Sequence, residues 1–137
     1  MNLTKNFTLK EMLASNTAQR LKIDNTPDET VITNLLALCM KVLQPVRDKY
    51  GSPIRVTSGY RCETLNKAVG GVRTSQHLKG QAADIVCADN HSLWSLMTEM
   101  VHNGEITVGQ LINEKNLTWI HVSLPDSRHK NQILSIR

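Results

Sequence analysis

A histidine in a polar turn and an aspartate in an apolar strand stand seven residues apart in Thr74-Ser75-Gln76-His77-Leu78-Lys79-Gly80-Gln81-Ala82-Ala83-Asp84-Ile85. An ionised Asp84 in such a strand is costly unless it is paired or bound to a metal. Gly80 and the two alanines leave room for something to come close to the backbone. The second segment with chemical potential is Leu117-Thr118-Trp119-Ile120-His121-Val122-Ser123-Leu124. Strand alternation puts Thr118, Ile120, Val122 and Leu124 on a core face and Leu117, Trp119, His121 and Ser123 on the other. His121 therefore opens onto a site, with Trp119 and Ser123 beside it. Two histidines and a carboxylate, with a fourth position left to water, make a catalytic zinc set. The same residues also admit a purely structural reading. In it His77 is a loop residue, Asp84 accepts from backbone amides and His121 is a surface strand residue.

These side chains need elements to hold them. Thr8-Leu9-Lys10-Glu11 reads as a capping box, with Phe7 and Met12 as its hydrophobic staple, and predicts a short helix to about Ser15. A polar stretch, Asn16 to Asn25, follows. Thr26-Pro27-Asp28-Glu29 predicts an N-cap at Thr26 and a long helix with Val31, Leu35, Leu38, Val42 and Val46 on its buried face. Gly51 ends that helix, and Pro45 is expected to kink it or break its last turn. Strands are predicted over Ile54–Thr57 and Ala82–Cys87, and helices over Cys62–Val69 and Ser92–Asn103. Val108–Asn113 and Leu117–Leu124 read as a hairpin, with Gln132–Ile136 as an added edge strand. The expected class is α+β, with helices packed on one small antiparallel sheet.

Bulk properties bound the function. The chain has 137 residues, 40% of them hydrophobic and 20% charged, which suits one globular domain over its whole length. The net charge of +4 rests on 16 basic and 12 acidic residues. With only five aromatic residues and no basic run longer than two, a nucleic-acid partner is not expected. Cys39, Cys62 and Cys87 form no CxxC pair, so a cysteine metal site or redox motif is not indicated and buried reduced thiols are expected. No apolar run reaches membrane-spanning length. The first residues show no signal peptide, which points to synthesis in the cytoplasm.

At this point the sequence resembles the M15 family of zinc peptidases, especially its short phage and prophage members. The matching pieces are Thr57-Ser58-Gly59-Tyr60-Arg61, Leu65-Asn66 with Gly70-Gly71, Ser75-x-His77-x-x-Gly80-x-Ala82-x-Asp84, and Trp119-x-His121. The likeness runs from Phe7 to about Leu124. It implies the single-domain fold shared with hedgehog-like proteins, one zinc ion held by His77, Asp84 and His121, and hydrolysis of peptide bonds in peptidoglycan stem peptides. By the same resemblance Arg61 contacts the substrate carbonyl, where a fixed guanidinium stabilises a developing oxyanion. Ser75 lies near the metal, either orienting substrate or serving as a turn cap. A monomer is expected, acting at the cell wall after lysis or as part of a virion.

The general base is where this sequence departs from its relatives. Many of them carry an acidic residue three positions before the last ligand, or a histidine two before it. Thr118 and Trp119 occupy those positions here. Glu114 and Gln110 remain as neighbours by alternation, with Trp119 and Gln110 as substrate contacts and Glu114 as the base, because glutamine cannot take and return a proton. If Lys115-Asn116 is a two-residue turn, Gln110 faces His121 and Glu114 faces Leu117, roughly 13 Å along the strand. The missing acid leaves an alternative from another class, a non-catalytic zinc-containing domain for wall binding or virion structure. His91, His102 and His129 look unremarkable, His129 lying in a polar tail.

Overall fold

Thr8 opens helix α1 (Leu9–Leu13), its Oγ1 accepting from the Glu11 N–H at 3.1 Å. The reciprocal half of the capping box does not form. Glu11 Oε2 accepts instead from the Val56 N–H at 3.2 Å, which ties α1 to strand β1 (Arg55–Ser58). Phe7 and Met12 are both fully buried, as the staple requires. The computed structural model describes residues 1–137. The polar stretch after α1 is not a loop throughout: Ser15 caps α2 (Asn16–Leu21), and Lys22 ends it in the left-handed region at φ 54°. Only Ala18 of this short helix is buried, so the sequence carries no apolar period there.

The long helix begins at Asp28 rather than Thr26. Asp28 Oδ1 accepts from the Val31 N–H at 2.9 Å, and Thr26 closes a local turn with Asp24. Helix α3 (Glu29–Leu38) passes through a π turn at Cys39–Leu43 and continues as α4 (Gln44–Tyr50) to Gly51, where φ is 76°. Pro45 thus does not break the helix. The Gln44 N–H reaches back to the Cys39 carbonyl, a wider turn that gives room where the proline ring would press on the carbonyl behind it.

Helix α5 (Glu63–Ala68), a 3₁₀ turn at Gln76–Lys79, β2 (Ala82–Val86), α6 (Asn90–His102), β3 (Gln110–Glu114), β4 (Trp119–Ser123) and β5 (Gln132–Ile136) complete the chain. The strand order is β1-β2-β4-β3-β5. The first four are antiparallel neighbours, but β5 runs parallel to β3. The fold is α+β with a mixed sheet, not an antiparallel one throughout. The cause is the connection: the chain leaves β4 at Ser123, crosses the start of β3 and enters β5 at the same end of the sheet. One sheet face sends Val56, Ala83, Ile85, Leu111, Ile120 and Val122 into a core shared with Leu35, Leu38, Leu93 and Met97. Burial of these side chains is the main stabilising term. The opposite face carries Asp84 and His121.

The hairpin between β3 and β4 sets the geometry of that second face. Lys115, Asn116 and Leu117 all adopt left-handed backbone, with φ of 47°, 56° and 61°. Asn113 Oδ1 accepts from the Leu117 N–H at 2.7 Å, and Thr118 Oγ1 donates to the Lys115 carbonyl at 2.6 Å. Glu114 and Trp119 pair directly, so residues 115–118 are all loop. The two-residue turn expected at Lys115-Asn116 would have paired Glu114 with Leu117. The observed register is offset by two residues, and Ile112 rather than Gln110 faces His121. An even offset keeps every side chain on its face. Leu117 and Thr118 leave the strand pattern: Leu117 joins the core and Thr118 is exposed.

Candidate metal centre

Ser75 caps the 3₁₀ turn by accepting from the His77 N–H at 3.2 Å, and Gly80 closes it at φ 71°. A Cβ on Gly80 would stand 2.8 Å from the Val31 carbonyl oxygen. The space that glycine provides is thus occupied by helix α3. The turn buries His77 to 2% exposure. Its Nδ1 lies 2.6 Å from the Gly59 carbonyl oxygen at the end of β1. Only a protonated Nδ1 can bond a carbonyl, so Nδ1 carries a proton and Nε2 is the nitrogen turned toward Asp84.

Asp84 and His121 are direct partners across β2 and β4. His121 Nδ1 lies 2.9 Å and His77 Nε2 3.4 Å from the same oxygen, Asp84 Oδ1. Burial opposes the charge on Asp84, but the hydrogen bonds and charges of His121 and His77 outweigh it and hold the carboxyl well below its usual range. No two of the three ligand atoms are more than 4.8 Å apart. Ligands at tetrahedral zinc distances stand roughly 3.3 Å from each other. Small side-chain rotations therefore suffice for all three to share one ion. With the ring of His77 oriented by Gly59 and an ionised carboxylate between two imidazoles, the residues fit a divalent metal.

The chain belongs to the Peptidase M15 family. The family model matches residues 5–123, which takes in α1, the whole turn that carries His77, and both strands that carry Asp84 and His121. A search of curated proteins finds no match. M15 members are metallopeptidases, and in this M15 chain His77, Asp84 and His121 are the group able to hold the ion. No helix is long and apolar enough to cross a membrane.

A cleft of about 730 Å³ opens beside the M15 centre at His121 and is lined also by Glu114, Gln110, Ile112 and Ser75. Gln110 and Glu114 flank Ile112 on the same strand face, two residues to either side. Each is roughly 7 Å along the strand from the Ile112–His121 pair, about half the distance that the shorter turn implied for Glu114. Gln110 donates from Nε2 to Gln132 Oε1 at 2.8 Å and lies beside Ser123, whose buried Oγ accepts from the Gln110 N–H at 2.9 Å. Trp119 sits opposite Glu114 with the Lys115 ammonium 5.6 Å from its ring centre. It is not a wall of the cleft.

Arg61 approaches from the β1 side. Its backbone N–H bonds to the His77 carbonyl at 3.1 Å, and Nη2 stands 3.5 Å from Ser75 Oγ. The guanidinium makes no ion pair, and its buried Nε has no partner in the protein. Burial lowers the Arg61 pKa while the nearby Asp84 charge raises it. Ser75 is both turn cap and neighbour of Arg61.

Several contributors carry weaker signals in the sequence. Gly59 supports His77 through its carbonyl. Gln76 donates from Nε2 to the Leu124 carbonyl at 3.2 Å and to Asp126 Oδ2 at 3.1 Å, which joins the His77 turn to the segment after β4. His129 does not trail off in a tail: its N–H bonds to Asp126 Oδ1 at 2.8 Å, and the residue lines the cleft. Asp126-Ser127-Arg128 has the Asx-turn composition that could have signalled this loop.

Proposed function

We propose that this M15 protein is a zinc-dependent peptidase that hydrolyses peptide bonds in peptidoglycan stem peptides, with one zinc ion held by His77, Asp84 and His121. The observation that carries the reading is the opening of the metal-binding group, through His121, into the cleft that Glu114 also lines. The likeness to short phage and prophage members supports the wall substrate and a phage or prophage origin.

When bound, zinc lowers the pKa of water and polarises a carbonyl. Glu114 takes the proton of the attacking water and returns it to the leaving amine. The observed register favours it, since it shares the face and the cleft of His121. Arg61, without an ion-pair partner, stabilises negative charge that builds on the scissile carbonyl oxygen. Ser75 holds Arg61 in place. Gly59 fixes the imidazole of His77 so that Nε2 points at Asp84.

The test is digestion of purified peptidoglycan by the protein loaded with zinc, after chelation, and after zinc is restored. Mass spectrometry of released muropeptides identifies the bond. Chelator-sensitive release of stem-peptide fragments is expected. Wall binding without any released fragment at any zinc level would replace the reading with that of a binding domain.

A further inference from the structure

The two edges of the sheet, β1 and β5, are finished differently. β1 carries the charged Arg55 and a register shift between Val56 and Ser58. Helix α1 lies along it: the Glu11 carboxylate accepts from the Val56 N–H at 3.2 Å, and the Met12 carbonyl accepts from the Tyr60 N–H at 2.8 Å. Charge, bulges and cover are the devices that keep an edge strand from pairing with another chain. β5, Gln132-Ile133-Leu134-Ser135-Ile136, has none of them. It holds no charge and no proline, its register against β3 is unbroken, and no strand pairs with its outer side.

In this parallel pair alternate residues of β5 bond the neighbouring strand. The Gln132 N–H bonds to the Gly109 carbonyl at 3.0 Å, and the Ile136 carbonyl accepts from the Lys115 N–H at 2.7 Å. The even-numbered residues therefore bond toward β3. The N–H and C=O groups of Ile133 and Ser135 point to the open edge, where nothing in the protein bonds them. Ser135 and Ile136 are exposed, and Ile133 and Leu134 are half-buried.

Those four backbone groups are complementary to themselves. A two-fold axis through the edge at Leu134, perpendicular to the sheet, sets Ile133 against Ser135 of a second copy and Ser135 against its Ile133. Each pair then exchanges both backbone bonds. Leu134 faces Leu134 of the second copy at a Cα separation of about 4.5 Å, an apolar cross-strand pair. Ile136 meets Gln132 and Arg137 meets Asn131, so no like charges oppose each other. A strand without charge offers no handle to a charged peptide, whereas its own copy satisfies all four groups and pairs the apolar side chains.

We propose that β5 is a dimer interface, where two copies pair antiparallel and join their sheets into one, in place of the expected monomer. An axis perpendicular to the sheet keeps equivalent faces on the same side. Both metal-binding groups then open to one side, with their β4 strands five strand spacings apart, roughly 24 Å. The dimer stands whether or not the protein is a peptidase.

Sedimentation equilibrium of the zinc-loaded protein, dialysed free of excess metal and followed up to millimolar concentration, reads the assembly. One short strand per copy makes less than a standard interface, so a dissociation constant on the order of 100 μM is expected. Ser135→Pro removes an N–H that bonds nothing within the chain, a change that edge strands accept. It should weaken the dimer about ten-fold or more with zinc affinity unchanged. Leu134→Cys, under mild oxidation, should form a disulfide between the 134 positions of two copies, identified by peptide mass mapping, because the paired Cα atoms stand within bridging range. Gln132→Cys should not link to itself, since the axis sets the two 132 positions roughly 13 Å apart along the strands. A monomer at every concentration, undiminished association of folded Ser135→Pro, or cross-linking through 132 as readily as through 134 would overturn the proposal. Should Ser135→Pro fail to fold, the two cysteine variants decide alone.

Discussion

Replacing Gly59 with alanine tests how the metal centre is supported. An added Cβ would overlap the Met12 carbonyl oxygen, with the Met12 carbonyl carbon 3.0 Å away. Both contacts are backbone, and the adjacent Tyr60 N–H is bonded to that same carbonyl at 2.8 Å, so α1 and β1 must separate. Overpacking of this kind costs about 1–3 kcal/mol of stability. The displacement also moves the Gly59 carbonyl, the only hydrogen-bond partner of His77 Nδ1. Loss of such an outer partner weakens metal binding by about 10–100-fold, or roughly 1.4–2.7 kcal/mol. The assay has two arms: zinc affinity by competition with a chromophoric chelator, and urea unfolding in excess chelator. Both affinity and metal-free stability should fall. A variant that loses stability but keeps wild-type zinc affinity would refute the claim that Gly59 orients His77.

Four further outcomes follow from the same geometry. Glu114→Gln should lower kcat by about 10²–10⁴-fold in peptide hydrolysis while zinc affinity measured by competition is unchanged; equal loss of metal would make Glu114 a ligand neighbour instead of a base. Zinc at about 100 times its dissociation constant should raise unfolding free energy by about 2.7 kcal/mol, and His121→Ala should abolish that gain in a thermal melt. Burial, with a smaller contribution from the Glu11 charge, pushes the Cys39 thiol up to about 12, so the thiolate forms more readily in the unfolded chain. Its stabilising contribution is whole below the unfolded thiol value of about 8.5 and is lost as pH rises from there toward 12; urea midpoints of wild type and Cys39→Ala should converge over that range. At neutral pH a thiol reagent should modify the half-buried Cys62 and Cys87 in the native protein and reach Cys39 only on unfolding.

The metal-binding group was legible in the sequence because its signals are local. A charged residue in an apolar strand and a histidine on the non-core face need only the period of a strand to be noticed. Their meeting was not a matter of spacing alone. It depends on the pairing of Asp84 with His121 across β2 and β4. The hairpin register escaped because Lys115 and Leu117 take left-handed backbone, which their side chains do not advertise as glycine or asparagine would. Thr26 and Asp28 both precede the apolar run, and composition does not say which hydroxyl or carboxylate finds the free amides, so the cap falls on Asp28 and not on the expected Thr26. Helix α2 and the direction of β5 depend on tertiary contacts, and Gly59 acts through a backbone atom that every residue possesses.

The connection from β4 to β5 has a consequence for how this protein can change. It skips one strand, so its two feet are about two strand spacings apart, roughly 10 Å. The segment 124–131 could reach about 26 Å if extended. Most of its length is therefore not needed to close the sheet. Surplus chain at a fixed span is the condition under which a loop tolerates insertion, deletion and exchange at small entropic cost. Because its feet are set by β4 and β5, and His77, Asp84 and His121 come from earlier in the chain, this segment is the natural graft point of the molecule. New sequences placed there would remodel the cleft while leaving the strand register and the metal-binding group as they are.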